Sequence, residues 1–245
     1  MPQKEMHFFD RFPLSEVETY RAKFSQPEKV CGEITPDYLS SREAVDKIAA
    51  SCPNTKIIVI LRNPVERTSS SFMLYKEQGV TSDETLTEVF DNRSDPYTKS
   101  LYGAQIEYLF SKISPKNVKI VFFERIKTDP ENLLKELFSF IGVNDNFVPQ
   151  STRQNFNASS VGFGSTKVAN AITQIQNYLV KRKWGYRLLK IKRTNWFKRF
   201  KASLIEKNQQ RRESNDHFYG YFAEDIVKLE SQIGQTVPDS WKPRD

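Results

Sequence analysis

The sequence holds few cysteines, no long apolar run and no repeated or low-complexity tract. Cys31 and Cys52 are the only thiols in 245 residues. Their spacing fits neither a zinc site nor a disulfide framework, so two reduced structural thiols are expected. No apolar stretch approaches the length of a membrane span, and no signal-peptide pattern precedes Phe8, so the chain as written reads as soluble and without an address. No cluster of residues calls for a metal. What is present is globular in character: 38% hydrophobic, 13% aromatic and 27% charged residues, which excludes a mostly disordered chain. The length suits one sizeable domain over residues 1–245, with a core at 1–149 and a loop, a basic region and a terminal helix at 150–245. The formal net charge is +7. It is local: Lys181 to Arg212 carries thirteen Lys or Arg against Glu206 alone, leaving −5 for the rest. An anionic ligand or surface is favoured.

Three short apolar runs read as buried strands: Val30 to Ile34, Lys56 to Leu61 ("KIIVIL") and Val118 to Phe123 ("VKIVFF"). The latter two are dense in β-branched and aromatic residues with little alternation, which suits a parallel sheet covered on both faces. Helical stretches lie between them. "SSREAVDKIAA" runs from Ser40 toward the breaker Pro53, and "DPENLLKELFSFIG" takes Asp129 as cap, Pro130 as first helical residue and Gly142 as stop. The order predicts an α/β sandwich with right-handed crossovers. Residues 150–165 read as a loop, and "YFAEDIVKLESQIG" as an amphipathic helix ending at Gly234.

The most informative segment is "KIIVILRNPVERTSSSF". A buried strand ends at Leu61. Arg62 follows, then Asn63 as a helix cap and Pro64 at the first helical position. A guanidinium therefore stands at the carboxyl end of a parallel strand beside a helix N-terminus, where open α/β sheets bind ligands and where an anion is favoured. Two readings stand on the residues alone. Arg62 and Ser70 hold a phosphate, or Arg62 pairs with an acid at the sheet edge and Ser69 to Ser71 form a solvated face. Arg67, a second cation in the first turns of a helix, and three weak helix formers without a capping role favour the first.

At this point the sequence resembles a family. "Leu-Arg-Asn-Pro", Arg67 and Ser70 are similar to the 3′-phosphate-binding motif of sulfotransferases that use 3′-phosphoadenosine 5′-phosphosulfate, Arg-Asp/Asn-Pro-x-x-Arg-x-x-Ser. "GEITPDYL" (Gly32 to Leu39), "SLYGAQIEYLF" and "VKIVFFERIKTDPENLLKELFSFIGV" agree with later family segments in the same order. The heparan sulfate and related bacterial members are the nearest in flavour. The resemblance implies a P-loop-NTPase-like three-layer sandwich with a central parallel sheet. It implies a sulfo group moved from that donor to a hydroxyl or amine of a carbohydrate or glycolipid, without metal. It further implies that the opening "KEMHFFD" is part of the site, with Glu5 as general base and His7 and Asp10 as polar members, whereas by itself such a run reads as terminal surface. Arg62 and Ser70 would hold the 3′-phosphate with Arg67 in support, and "GFGSTK", with Lys167, would close over the nucleotide.

The sequence departs from the family in one large respect and two small ones. The Gly-rich loop of type Lys-x-Gly-Thr-Thr-Ser-Leu, expected on the order of 30 residues before Glu5, does not occur, so the first βα unit is expected to be missing. Ile34 stands where heparan-type members often carry lysine, and Phe72 where tyrosine is common. A binding module without turnover, holding polyanions or membranes, is therefore the rival reading. Residues 181–212 interleave cations with Trp184, Tyr186, Trp196, Phe197 and Phe200. They read as a solvated helical face, an acceptor-binding surface for an anionic glycan or lipid, or a membrane-surface helix. No nucleic-acid motif occurs. The resemblance implies a cytoplasmic enzyme if the source is bacterial and a Golgi-lumen enzyme, anchored through an upstream segment, if it is eukaryotic.

Overall fold

The computed structural model describes residues 5–24, 29–149 and 215–242. Helices α1 (Phe8–Arg11), α2 (Val17–Ala22) and α3 (Arg42–Ser51) precede strand β1 (Ile57–Leu61). Then follow α4 (Pro64–Gln78), α5 (Leu86–Asp91), α6 (Asp95–Thr98), α7 (Tyr102–Lys112), strand β2 (Val118–Phe122), α8 (Arg125–Thr128), α9 (Pro130–Ile141) and, after residues outside the description, α10 (Ala223–Ile233). The two strands pair in parallel, Ile57 opposite Val118 through Leu61 opposite Phe122. A parallel pair needs a long crossover, and α4 to α7 supply it.

Local chemistry explains the boundaries. Ser41 caps α3 by accepting the Ala44 N–H at 3.2 Å, one residue later than the sequence pattern suggests. Asn63 caps α4 by accepting from the Val65 and Glu66 N–H groups, with Pro64 as first helical residue. Gly142 ends α9 in the left-handed region at φ 78°, a conformation that favours glycine. Asp129 occupies the cap position of α9, but its carboxylate accepts from the Asn132 amide instead of the helix N–H groups.

One face of the sheet, through Val59, Leu61, Val118 and Phe122, enters a core built with Val45, Ile48, Ile106, Leu109, Leu229 and Trp241. A second cluster joins Val65 and Phe72 of α4 to Val89, Phe90, Tyr97, Phe218 and Phe222. Residues 215–242 thus contribute to both cores. Their contact with α7 is close: a Cβ on Gly103 would stand 2.4 Å from the Asp225 carbonyl oxygen. Only hydrogen fits there, which lets the Asp225 carboxylate accept the Gly103 and Ala104 N–H groups at 2.8 and 3.1 Å and close the α7 N-terminus.

One expectation is corrected and another is met in part. Val30 to Ile34 is extended but forms no strand; Val30 and Ile34 are 62% and 68% exposed. A strand is a property of a pair, and among the described residues this segment has no ladder partner. The second face of the sheet is covered behind β2, where Val121 is buried, but not behind β1 among the described residues. Behind β2, the α9 residue Glu136 binds Lys119 at 3.3 Å and Arg125 through two bonds of 3.0 and 2.7 Å. The Arg125 bonds are the main cause holding the Glu136 carboxyl at about 2. On β1 the same face leaves Ile58 and Ile60 exposed.

Burial raises the Asp225 carboxyl above its ordinary value, against the opposing pull of the two α7 N–H groups. An acid with a raised folded-state value binds its proton more readily folded than unfolded. Its stabilising contribution is therefore full below the ordinary Asp range and is lost as pH rises through the folded value. Urea unfolding of the wild type from about pH 4 to 7 is expected to carry this decline, and Asp225→Asn to flatten it. Parallel slopes for the two proteins would refute the assignment.

Candidate functional site

Phe8 and Phe9 are buried, and their rings pack on each other and on Tyr20 and Tyr38. This aromatic anchor fixes the chain on both sides of His7. His7 itself lies at the cap position of α1 with φ 48° and ψ 33°, a left-handed conformation that costs a non-glycine residue about 1–3 kcal/mol and persists only where surroundings enforce it. The enforcing groups come from Gly32 to Leu39. The His7 N–H donates to Thr35 Oγ1 at 3.4 Å, and the Phe8 and Phe9 N–H groups donate to the Tyr38 hydroxyl at 2.8 and 3.3 Å. Burial pushes that phenol up to about 12, with Glu33 as a further cause. Glu33 also accepts from the Tyr20 hydroxyl at 3.1 Å.

The turn gathers ionisable side chains. His7 Nδ1 is 2.8 Å from Asp10 Oδ2, and His7 Nε2 is 3.5 Å from Glu5 Oε2. Glu5, His7 and Asp10, which the resemblance places in one site, therefore lie together. The Glu5 side chain is 43% exposed against 12% for His7, so the carboxylate stands at the open side of the cluster. Asp37 joins them, with one oxygen of it, one of Asp10 and one ring nitrogen of His7 all within 4.8 Å. Three side chains so spaced could share one cation, but hydrogen bonding among them needs none. Asp10 Oδ1 is buried without a hydrogen-bond partner, a cost that a purely structural carboxylate would be expected to relieve.

The second group forms at the β1–α4 turn. Arg62 donates through Nε and Nη2 to Glu66 Oε2 at 3.3 and 3.0 Å and lies 5.6 Å from the centre of the Phe123 ring. The sheet-edge ion pair is thus present. Its side chains are 37% and 60% exposed, and exposed pairs of this kind contribute about 0–1 kcal/mol, so Glu66 holds the fork only weakly. Ser70 is exposed on α4. Arg67 instead turns inward, donating to the Ser100 hydroxyl at 3.0 Å and the Pro96 carbonyl at 3.3 Å. Lys167 and residues 181–212 lie outside the described residues.

Among the described residues no direct hydrogen bond or ion pair joins Arg62 or Ser70 to the Glu5 group. The link runs through residues that sequence reading missed. Lys99 Nζ is 3.3 Å from Asp37 Oδ1, and its neighbour Ser100 receives Arg67. Thr35, Asp37 and Tyr38 had a signal, because they fall within the quoted "GEITPDYL"; Lys99 had none.

A family model described as a sulfotransferase domain matches residues 5–221. Heparan sulfate glucosamine 3-O-sulfotransferase 3B1 of Mus musculus is 32% identical over 151 residues, 57% of this chain and 38% of that protein. The membrane-associated sulfotransferase kil1 of Dictyostelium discoideum is 21% identical, across 58% of this chain and 50% of that protein. The chain thus spans well under two thirds of the length of these relatives. A solved sulfotransferase from Alicyclobacillus acidocaldarius superposes with a TM-score of 0.58 over 98% of this chain and 86% of the other at 20% identity, which shows a common α/β fold. Among the described residues no helix is long and apolar enough to cross a membrane.

Proposed function

The chain belongs to the sulfotransferase-domain family, and from that premise we propose that it moves a sulfo group from 3′-phosphoadenosine 5′-phosphosulfate to a hydroxyl or amine of a carbohydrate or glycolipid. The observation that carries the reading is the Glu5–His7–Asp10 cluster on a strained, anchored turn. A hydroxyl is a weak nucleophile at neutral pH. Glu5, at the open side, accepts its proton as the acceptor oxygen bonds to sulfur and the sulfur–oxygen bond to the departing phosphate breaks. His7 fixes the Glu5 carboxylate from one ring nitrogen, and Asp10 holds the other. The donor nucleotide supplies the activated sulfo group and a good leaving group. Catalysis then rests on alignment and on stabilising charge at the departing phosphate, as in phosphoryl transfer.

Arg62 and Ser70 are assigned to the 3′-phosphate and Lys167 to the nucleotide side. The fit to Arg62 is chemical: a planar fork at a strand end, held by one exposed carboxylate and a ring, suits a phosphate dianion. Relatives named for heparan sulfate glucosamine support a carbohydrate acceptor, and the basic stretch at 181–212 is assigned to an anionic acceptor or surface.

Calorimetry with adenosine 3′,5′-bisphosphate tests the donor half. Binding in the range of about 1 μM is expected, weakened at least about tenfold in Arg62→Ala by loss of charged hydrogen bonds. No binding by the wild type, or equal binding by the variant, refutes the assignment. Binding without transfer to any glycan acceptor supports the non-catalytic module.

A further inference from the structure

We propose that Lys99 is a positioning residue, the brace that holds Asp37 and with it the Glu5–His7–Asp10 turn in register with α4; this rests on the sulfo-transfer reading above. Lys99 lies between α6 and α7, and its side chain is 24% exposed. Its ammonium meets Asp37 Oδ1 at 3.3 Å, Asp95 Oδ2 at 3.0 Å and the Tyr75 hydroxyl at 3.2 Å. The ammonium thus faces three oxygens from three places in the chain. The Tyr75 hydroxyl in turn donates to Asp95 at 2.8 Å. Burial would lower the Lys99 value, and the Asp95, Tyr75 and Asp37 contacts overcome it and raise it, so the cation is permanent at any working pH.

The neighbours explain what this charge does. Around His7 stand Glu5, Asp10 and Asp37, with Arg11 3.8 Å from Asp10. Three carboxylates crowd one imidazole, and Lys99 is the cation that contacts Asp37. Asp37 directly precedes Tyr38, whose hydroxyl receives the Phe8 and Phe9 N–H groups. Releasing Asp37 therefore loosens the support beneath the strained His7. On its other side Lys99 is fixed to α4. Tyr75 is on that helix, and the adjacent, fully buried Ser100 accepts from Arg67 at 3.0 Å and Thr68 at 2.9 Å. One residue thus ties the helix carrying Ser70 to the turn carrying Glu5.

Lys99→Met is expected to lower kcat roughly 10²-fold, the scale of an ångström's misplacement, with adenosine 3′,5′-bisphosphate affinity unchanged. Lys99→Arg should recover most of the loss. If Lys99 acts through Asp37, then Asp37→Asn and the double variant should resemble Lys99→Met, with strongly non-additive effects. Additive losses, or a loss of nucleotide affinity parallel to that of kcat, overturn the proposal. A second readout needs no turnover. The chain has two histidines, so the ring N–H resonance of His7 is observed by NMR beside that of His217. Displacement of the His7 resonance alone in Lys99→Met supports the brace; an unmoved resonance in a folded variant overturns it. If the wild type transfers no sulfo group, the sulfo-transfer reading falls, and the His7 resonance alone decides whether Lys99 holds the turn.

Discussion

Glu5→Gln is expected to lower sulfo transfer by roughly 10²- to 10⁴-fold, the range for removing a positioned general base, while adenosine 3′,5′-bisphosphate binds as it does to the wild type. The substitution keeps the shape of the side chain and an oxygen within reach of His7 Nε2, now 3.5 Å from Glu5 Oε2. It removes the negative charge and with it the capacity to take a proton. The turn should stay in place, because its hold comes from Thr35, Tyr38 and the buried pair Phe8 and Phe9, not from the Glu5 side chain. The loss should therefore appear in kcat rather than in the donor KM, as for an interaction made during reaction. Steady-state assay with labelled donor and a heparan-type oligosaccharide measures both parameters. A variant retaining wild-type kcat would remove Glu5 from the role of base, and one that loses nucleotide affinity would place Glu5 on the donor side.

The parts of this site that could be read in the sequence are those whose chemistry is local. The Asn63–Pro64 helix start rests on bonds spanning two and three residues, whereas the His7–Asp10 contact, though only three residues apart, was marked by the family resemblance alone. Strands β1 and β2 were legible because dense runs of β-branched and aromatic residues mark burial. The same signal misled at Val30 to Ile34, where composition suits a strand but pairing decides. It also misled at Ile58 and Ile60, whose apolar character does not reveal that α9 backs β2 and not them. The support beneath His7 was illegible for a different reason. Thr35 and Tyr38 reach back 28 to 30 residues to the main chain of His7, Phe8 and Phe9, and Lys99 crosses a still longer interval to Asp37. No periodicity or spacing encodes contacts of that kind; only the family resemblance marked "GEITPDYL" as worth attention, and it assigned those residues no task.

Trp241→Ala is expected to destabilise the fold by about 3–5 kcal/mol, the range for truncating a buried tryptophan. The ring is 1% exposed and packs on Tyr102 and Phe122 with centroids 5.9 and 5.3 Å away. Its Nε1–H donates to Glu124 Oε1 at 2.8 Å. Glu124 follows β2 closely, and its other oxygen is already buried without a partner, so the substitution leaves a cavity and a poorly satisfied carboxylate together. Trp241→Phe separates the two effects: it keeps most of the volume and loses the N–H, at a cost of about 1–3 kcal/mol. Chemical denaturation should rank the proteins wild type, Trp241→Phe, Trp241→Ala, and equal losses in the two variants would show that packing contributes nothing beyond the hydrogen bond. The consequence reaches the β1–α4 turn, to which the 3′-phosphate is assigned. The Asn63 amide, which caps α4 beside Arg62, donates to the Ser240 carbonyl and the Tyr219 hydroxyl. The terminal segment therefore braces both strand ends at once. Trp241→Ala should weaken adenosine 3′,5′-bisphosphate binding through Asn63 even at temperatures where the protein remains folded, whereas Trp241→Phe should leave it intact.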